Sequence, residues 1–372
     1  MAEDTDVEAT PGSTTATLGR VQRLPLRQLI QILLAILIVA FVAIGSYKTL
    51  TLPSGEGYDP STWKAFVISG VAQGGIYALI AIGYTLVYGV LRMINFAHGE
   101  VFMMGCFVSF FFADAYASSG FLNRHPYPAL AVVFVIAMLT SCLIAMLLER
   151  VAYRPLRNAP RLVPLITAIG ASLFLQNTAY GFFGPQTRAY PVPDVLSGDK
   201  SWTILGITMQ RIQVVVIMTA ILAVIGLTLF IARTRTGKSI RAVAEDREIA
   251  SLMGIDVDRT IMVTFALGGL LAGIAGVQFG LTFGQVNFHI GFAVGIAAFT
   301  ASVLGGIGSI SGAALGGLIL GVMQSVGPPL LFTGFKIPAP FQLQDVITFS
   351  VLVLVLIFRP GGILGSGEAE KV

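Results

Sequence analysis

The sequence predicts an all-α polytopic membrane protein of about ten transmembrane helices, and three observations carry the prediction. Of its 372 residues, 55% are hydrophobic and 11% charged, against about 25% charged in soluble domains. Apolar tracts long enough to span a bilayer, roughly 20 residues each, recur along the chain. The 42 glycines let transmembrane helices approach closely and break where a pathway needs backbone groups. The net charge of +4 comes from Lys and Arg gathered in a few short loops, which is a topology signal. No basic stripe with interleaved aromatics indicates nucleic acid.

Residues 1–25 form a leader, polar through Gly19 and lacking a periodic apolar face, that is expected to be disordered and cytoplasmic. Arg20, Arg23 and Arg27 then precede the apolar run Leu29–Ile44, so 26–60 is expected to be an extra N-terminal transmembrane helix and outside loop. A signal peptide is the rival, because Ala43 and Gly45 imitate a small-residue cleavage site; the long polar leader and the available flanking length favour a span. Further spans are expected near 64–91, 101–118, 128–149, 162–183, 212–232, 260–281, 291–309, 311–331 and 345–358. The 64–91 tract is long, and Gly70, Gly74, Gly75, Gly83 and Gly89 leave room for a tilt or a break.

The basic residues set the orientation. Arg150, Arg154, Arg157 and Arg161 follow the fourth span, and Arg233, Arg235, Lys238, Arg241, Arg247 and Arg259 follow the sixth. Both loops fall on the side of Arg20, Arg23 and Arg27, which makes both termini cytoplasmic. The loop 184–211, with Pro185, Pro191, Pro193, Asp194 and Asp199, is poorer in cations and falls outside.

Between two membrane-grade tracts lies Leu91-Arg92-Met93-Ile94-Asn95-Phe96-Ala97-His98-Gly99-Glu100. A charge at a helix centre costs roughly 2.5 to 3.5 kcal/mol on insertion scales, so these groups should face protein or a water-filled path. A weak echo, Ile307-Gly308-Ser309-Ile310-Ser311-Gly312-Ala313, also sits between apolar segments. Together they predict broken or re-entrant segments near 92–104 and 303–312, as in transporters built from two pseudo-repeats. Asn95 both donates and accepts, and with Phe96, His98, Gly308 and Ser309 it is a candidate for the substrate pathway. Gly99, Glu100, Gly305, Gly306 and Gly312 are candidates for shaping the breaks. His98 and Glu100 admit two readings: lining of the path, or a hydrogen-bonded pair and caps for the helix starting near Val101.

Other motifs carry less. Cys106 and Cys142 sit in apolar tracts and read as small buried hydrophobes. His125 and His289 fall in outside loops with no metal partner at useful spacing, so no metal site is expected. Ala232-Arg233-Thr234-Arg235-Thr236-Gly237-Lys238-Ser239 matches a relaxed phosphate-loop pattern, but it follows a membrane span rather than a buried strand, and ATP binding is not expected there. In the same loop, Ile240, Val243, Ala244 and Ile249 alternate with Arg241, Glu245, Asp246, Arg247 and Glu248. That pattern suits a short amphipathic helix over 239–252 closed by Gly254, either a docking element or a solvated loop helix.

Three ordered stretches carry a resemblance. Tyr77-Ala78-Leu79-Ile80-Ala81-Ile82-Gly83-Tyr84-Thr85-Leu86-Val87-Tyr88-Gly89-Val90, continuing into Ile94–Glu100, is the first. Arg241–Asp246 with Ala250–Ile255, and Ala298–Ser309 with Gly312 and Gly316-Gly317, are the others. The chain over about 62–368 resembles the permease subunits of bacterial branched-chain amino-acid ABC importers. The resemblance implies a permease domain at 61–368 in the bacterial inner membrane, paired with a homologous second permease. It further implies two cytoplasmic ATPase subunits, which bind ATP and Mg so that this chain needs no cofactor and catalyses nothing, and a periplasmic substrate-binding protein. The loop 233–259 is then the coupling loop, with Arg241, Glu245, Asp246, Ala250 and Gly254 meeting the ATPase. The leader and extra span depart from shorter members. The implied cargo is a branched-chain or other neutral amino acid, with urea or short amides as the alternative, moved from periplasm to cytoplasm by alternating access.

Two other classes fit less well. An ion-coupled secondary transporter needs intramembrane acids, which are scarce here outside the region of residue 100. An intramembrane enzyme needs paired catalytic groups at membrane depth, and none has supporting spacing.

Overall fold

The computed structural model describes residues 26–53, 56–157, 159–160, 162–197, 200–204 and 207–365. The expected leader, with Arg20 and Arg23, and also Arg161 and Asp199, lie outside the described residues. The chain divides into two units after Phe41. In the first unit the described residues belong to the helix α1 (Leu26–Leu50), and Leu29, Ile30, Leu33, Ile36 and Leu37 on it are exposed.

The second unit begins within α1 at Val42. It continues with α2 (Pro60–Leu91), α3 (His98–Ser118), the short α4 (Phe121–Arg124), α5 (Pro126–Leu148) and α6 (Leu162–Phe183). Three short strands follow in the next connection: β1 (Arg188–Ala189), then the antiparallel hairpin of β2 (Ser201–Ile204) and β3 (Ile207–Gln210). After α7 (Arg211–Arg233), α8 (Arg235–Glu245), α9 (Arg247–Leu252) and α10 (Val257–Phe283) comes β4 (Gln285–Val286), which pairs with β1. The chain then forms α11 (Ile290–Gly305), α12 (Ile310–Phe332) and α13 (Gln344–Phe358). Among the described residues, nine helices are long and apolar enough to cross a membrane. The tenth expected span is α11, whose 16 residues reach only about 24 Å, short of a hydrocarbon core of about 30 Å.

α2 is the hub, buried along most of its length from Gly70 to Leu91 and packed by α12, α10, α11 and α7. Its glycines serve close packing rather than the break that its length allowed, since the helix is continuous. A Cβ at Gly74 would stand 2.8 Å from the Leu318 Cα, and Gly317 and Gly321 return the contact against Ala78 and Gly74. Two backbones pressed together in this way gain dispersion that lipid cannot replace.

One polar cluster crosses the same seam. The Gln73 amide donates to the Tyr77 hydroxyl (2.7 Å) and to Gln324 Oε1 (2.8 Å), Tyr77 donates to the same oxygen (2.6 Å), and Gln324 Nε2 donates to Thr348 Oγ1. Every member has a partner, so the network joins α2, α12 and α13 rather than marking a binding site. Gln324→Leu removes its centre while the Gln73–Tyr77 bond survives. A loss of about 1–3 kcal/mol is expected, read as a lower unfolding midpoint in detergent at unchanged helix content; an unchanged midpoint would show that the network contributes nothing net.

Two faces are distinct. On one, Arg157 pairs with both Glu149 and Asp258, and Arg154 pairs with Asp258. There too Arg92 Nη2 donates to the Ala244 carbonyl (2.8 Å) and Arg247 Nε to the Val90 carbonyl (2.6 Å). The α2–α3, α5–α6 and α7–α10 connections therefore gather together, and they hold the basic loops. At the other end, Asn123 and Asp194 are joined by two hydrogen bonds and β1 pairs with β4.

The loop helix expected over 239–252 is two helices. Asp246 separates them: it has extended backbone, and its carboxylate accepts from the amides of Glu248 and Ile249 as the cap of α9. Gly254, at φ +82°, ends the element. The phosphate-loop look-alike is a tight turn between α7 and α8, with the Thr234 hydroxyl accepting from the Gly237 amide; it follows a helix rather than a strand.

Candidate functional site

The site is built from two helices that start deep in the bundle. α2 ends when Arg92 takes a left-handed conformation (φ 53°), and the chain then runs through 92–97 before α3 begins at His98. Glu100, in the first turn of α3, accepts a hydrogen bond from Ser172 Oγ at 3.3 Å. Ser172 is at the middle of α6, whose 22 residues just span a bilayer, so α3 starts at mid-depth. α11 starts at the same level, because a Cβ at Gly291 would meet the Glu100 carboxylate and one at Gly99 would meet the Gly291 carbonyl. Glycine is required at this crossing by the closeness of the two backbones.

Beside this crossing lies a cavity of about 330 Å³, within the range of small-molecule sites. Tyr84 and Phe96 form one wall, Ile169, Ser172, Leu173 and Gln176 of α6 another, and Gly291, Phe292, Gly295 and Ile296 of α11 the third. The lining is apolar apart from the Tyr84 and Ser172 hydroxyls and the Gln176 amide, which also meets the His289 ring at 3.3 Å. Behind Ser172 and Gly291 is the Glu100 carboxylate, 1% exposed, whose Oε2 has no hydrogen-bond partner among the described residues. The positive ends of α3 and α11 both favour negative charge at this point. The arrangement is an apolar chamber with one buried carboxyl group behind its wall and two helix N-termini at its end.

The expected pathway residues separate in space. Phe96 lines the cavity. Asn95 is buried and engaged elsewhere: its Oδ1 accepts from the Tyr153 hydroxyl (2.5 Å) and from the Ala97 amide (3.1 Å), which holds the 92–97 segment in shape. His98 is buried in a slot between Gly83 and Gly268, edge-on to Tyr84 at 5.0 Å between ring centroids. His98 and Glu100 do not form the hydrogen-bonded pair that was one of their two readings, and neither side chain caps α3.

Gly308 and Ser309 sit at the far end of α11. Ser309 caps α12 by accepting from the Gly312 amide (3.1 Å), and Gly308 has φ +101°. Gly305 packs on Gly312, and the last carbonyls of α11, from Leu304 and Gly305, accept from the amides of Ile363 and Leu364 at 2.9 Å each. The two expected breaks nevertheless face each other. Ile94 and Ile307 share a small pocket with Tyr84, Tyr88, Phe299 and Ser302, Thr85 and Ser302 are bonded at 2.9 Å, and the Phe96 and Phe299 rings lie 5.7 Å apart. The start of α11 at 289–291 was not legible as a break, since Gly291 interrupts no hydropathy. The shortness of α11, hidden by placing its end at 309, was the available signal.

In the loop on the basic face, Ile240, Val243 and Ala250 are buried, whereas Ile249, Leu252 and Met253 are 60%, 86% and 78% exposed. Arg241 is exposed and Glu245 and Asp246 are exposed beside it. Among the described residues no cluster of His, Cys, Asp and Glu could hold a metal ion. Cys106 is buried and Cys142 partly so, and both are free thiols.

Residues 66–356 match the family model described as the permease component of branched-chain amino acid transport systems. The chain is 44% identical over 309 residues to the high-affinity branched-chain amino acid transport system permease protein BraD of Pseudomonas aeruginosa, covering 82% of this chain and 97% of the relative. It is 44% identical over 311 residues to LivH of Escherichia coli, named in the same terms (82% and 96%). It is 28% identical over 307 residues to a probable LivH of Methanocaldococcus jannaschii (81% and 92%). No solved structure matches. The matched length holds both breaks, the cavity and the α8–α9 loop, and on these grounds the chain belongs to the family of permease components of branched-chain amino acid transport systems.

Proposed function

We propose that this chain is the transmembrane permease subunit of an ATP-driven importer that moves branched-chain or other neutral amino acids from periplasm to cytoplasm by alternating access. The observation that carries the reading is the chamber at the start of α3 and α11, where an apolar wall meets a buried carboxylate. A neutral amino acid is a zwitterion with an apolar side chain. Phe96, Ile169, Leu173, Phe292 and Ile296 suit the side chain, the Glu100 carboxylate reached past Ser172 suits the ammonium, and the first turn of α11 suits the carboxylate. Contacts this few favour passage over retention, so tight binding falls to a separate delivery protein.

The relatives' names support the cargo class. The same reading places the chain in an assembly with a homologous second permease, two ATPase subunits that bind ATP and Mg, and a periplasmic binding protein. The gathered basic loops support placing that face, with both termini, in the cytoplasm of a cell whose inner membrane holds the protein. Arg241, Glu245, Asp246, Ala250 and Gly254 then shape the surface presented to an ATPase. Asn95, His98, Gly308 and Ser309 support the pathway by holding its breaks.

The test is uptake by cells lacking their own branched-chain transporters and supplied with this chain and its partner subunits. Saturable leucine uptake, competed by isoleucine and valine but not by urea or acetamide, is expected; the reverse order of competition would transfer the reading to amides. Glu100→Gln removes the carboxyl group while keeping its shape, and Ser172→Ala removes its hydrogen bond. Leucine uptake is expected to fall about 10- to 100-fold in the first and less in the second, at unchanged protein level. Full uptake by Glu100→Gln would leave the carboxylate without a part in transport.

A further inference from the structure

A second cavity, of about 300 Å³, opens on the basic-loop face beside the end of α2. Arg92, Arg157 and Arg247 converge on it from the α2–α3, α5–α6 and α7–α10 connections, and Met93, Leu162 and Leu165 form its apolar side. The charges there do not balance. Glu149 and Asp258 offset Arg154 and Arg157, which pair with them. Among the described residues, Arg92 and Arg247 have only neutral partners, the carbonyls of Ala244 and Val90. Arg157 Nε and Arg247 Nη2 are buried donors with no partner among the described residues. A buried donor left unsatisfied is costly, more so on a charged group.

We infer that this cavity is a binding site for a phosphate group, and that its occupant is the headgroup of an anionic phospholipid from the leaflet on the basic-loop face. A phosphate offers several acceptor oxygens to guanidinium donors arriving from different directions, which is the geometry that arginine serves best. The apolar side points to a lipid rather than a soluble anion. Leu162, at the first turn of α6, is 69% exposed, so the pocket continues into a surface that acyl chains would cover. Burial, followed by the charges of Arg157 and Arg92, holds the Arg247 guanidinium below its ordinary pKa, a disadvantage that a bound anion reverses. The inference is independent of the cargo. Its consequence is mechanical: Arg247 is the first residue of α9, so an occupied site ties that helix to the end of α2 and to the membrane.

The full chain, stripped of lipid in neutral detergent, is mixed with phosphatidylglycerol, phosphatidylcholine or inorganic phosphate at equal phosphorus. Retained lipid is then read by native mass spectrometry, and thermal unfolding is read alongside. Phosphatidylglycerol is expected to be retained and to raise the unfolding midpoint, and the other two to do neither. Arg92→Gln, at an exposed side chain, and Arg247→Gln should each weaken retention about 5-fold, whereas Arg124→Gln at the opposite end should not. Equal retention of phosphatidylcholine, or undiminished retention in Arg92→Gln, would overturn the site. A rise in the midpoint with inorganic phosphate as large as that with phosphatidylglycerol would overturn the lipid assignment.

Discussion

Leu252→Asp combined with Met253→Asp is expected to abolish leucine uptake, by more than about 100-fold, while the chain inserts and folds normally. The two side chains are 86% and 78% exposed and lie next to Ile249 at 60%. They make no core contact whose loss would unfold the protein. An exposed apolar tip of this kind suits an interaction surface, which the proposed function assigns to an ATPase subunit, and burial of large apolar side chains in an opposing groove is what concentrates binding energy at an interface. The inward face of the same loop, Ile240, Val243 and Ala250, holds α8 and α9 on the bundle, so motion imposed at the tip reaches α2 through Arg247 and the Val90 carbonyl. The double variant should keep basal ATP hydrolysis in the assembled complex and lose its stimulation by loaded binding protein. Stimulated hydrolysis at the normal level would remove α9 from the coupling path.

Gly321→Leu is expected to have the largest effect on the folded chain. A Cβ at residue 321 would meet the backbone of Gly74 and the Gly70 carbonyl, where no side chain can turn aside. Overpacking of a rigid seam costs about 1–3 kcal/mol or more, and here the isobutyl group would separate α12 from the hub helix along the line that also carries the Gln73–Gln324 bonds. Folded protein in the membrane should fall several-fold, with a lower unfolding midpoint in what remains. Gly226→Leu is the control: a Cβ there has nothing within 4 Å, so both readouts should stay at the wild-type level. Equal tolerance of the two variants would mean that the α2–α12 seam is not closely packed.

Hydropathy made the helices legible because lipid imposes one length and one composition on every span. The 162–183 tract is α6 to the residue, and most other spans differ only at their ends. Side-chain partners were not legible, because they depend on which helices meet. The amide of Asn95 looked suited to cargo, but Tyr153, some 58 residues away, occupies its oxygen. Glu100 looked like a cap, but its carboxylate lies against Ser172 and Gly291, behind the cavity wall. The loop over 239–252 had the right period for one helix, and only the capping geometry of Asp246 divides it. Resemblance supplied the family, while the glycine crossings that build the chamber needed three dimensions.

Cysteine accessibility at Gln176 tests most directly whether the chamber between α2, α6 and the start of α11 carries the cargo, as proposed. Gln176 lines the cavity, Cys106 is fully buried and Cys142 is replaced by serine to give a quiet background. In the assembled, transporting complex, a polar thiol reagent should modify Gln176→Cys, leucine turnover should slow the modification, and the modified complex should no longer take up leucine. Full uptake after complete modification, with a labelling rate indifferent to leucine, would contradict the account.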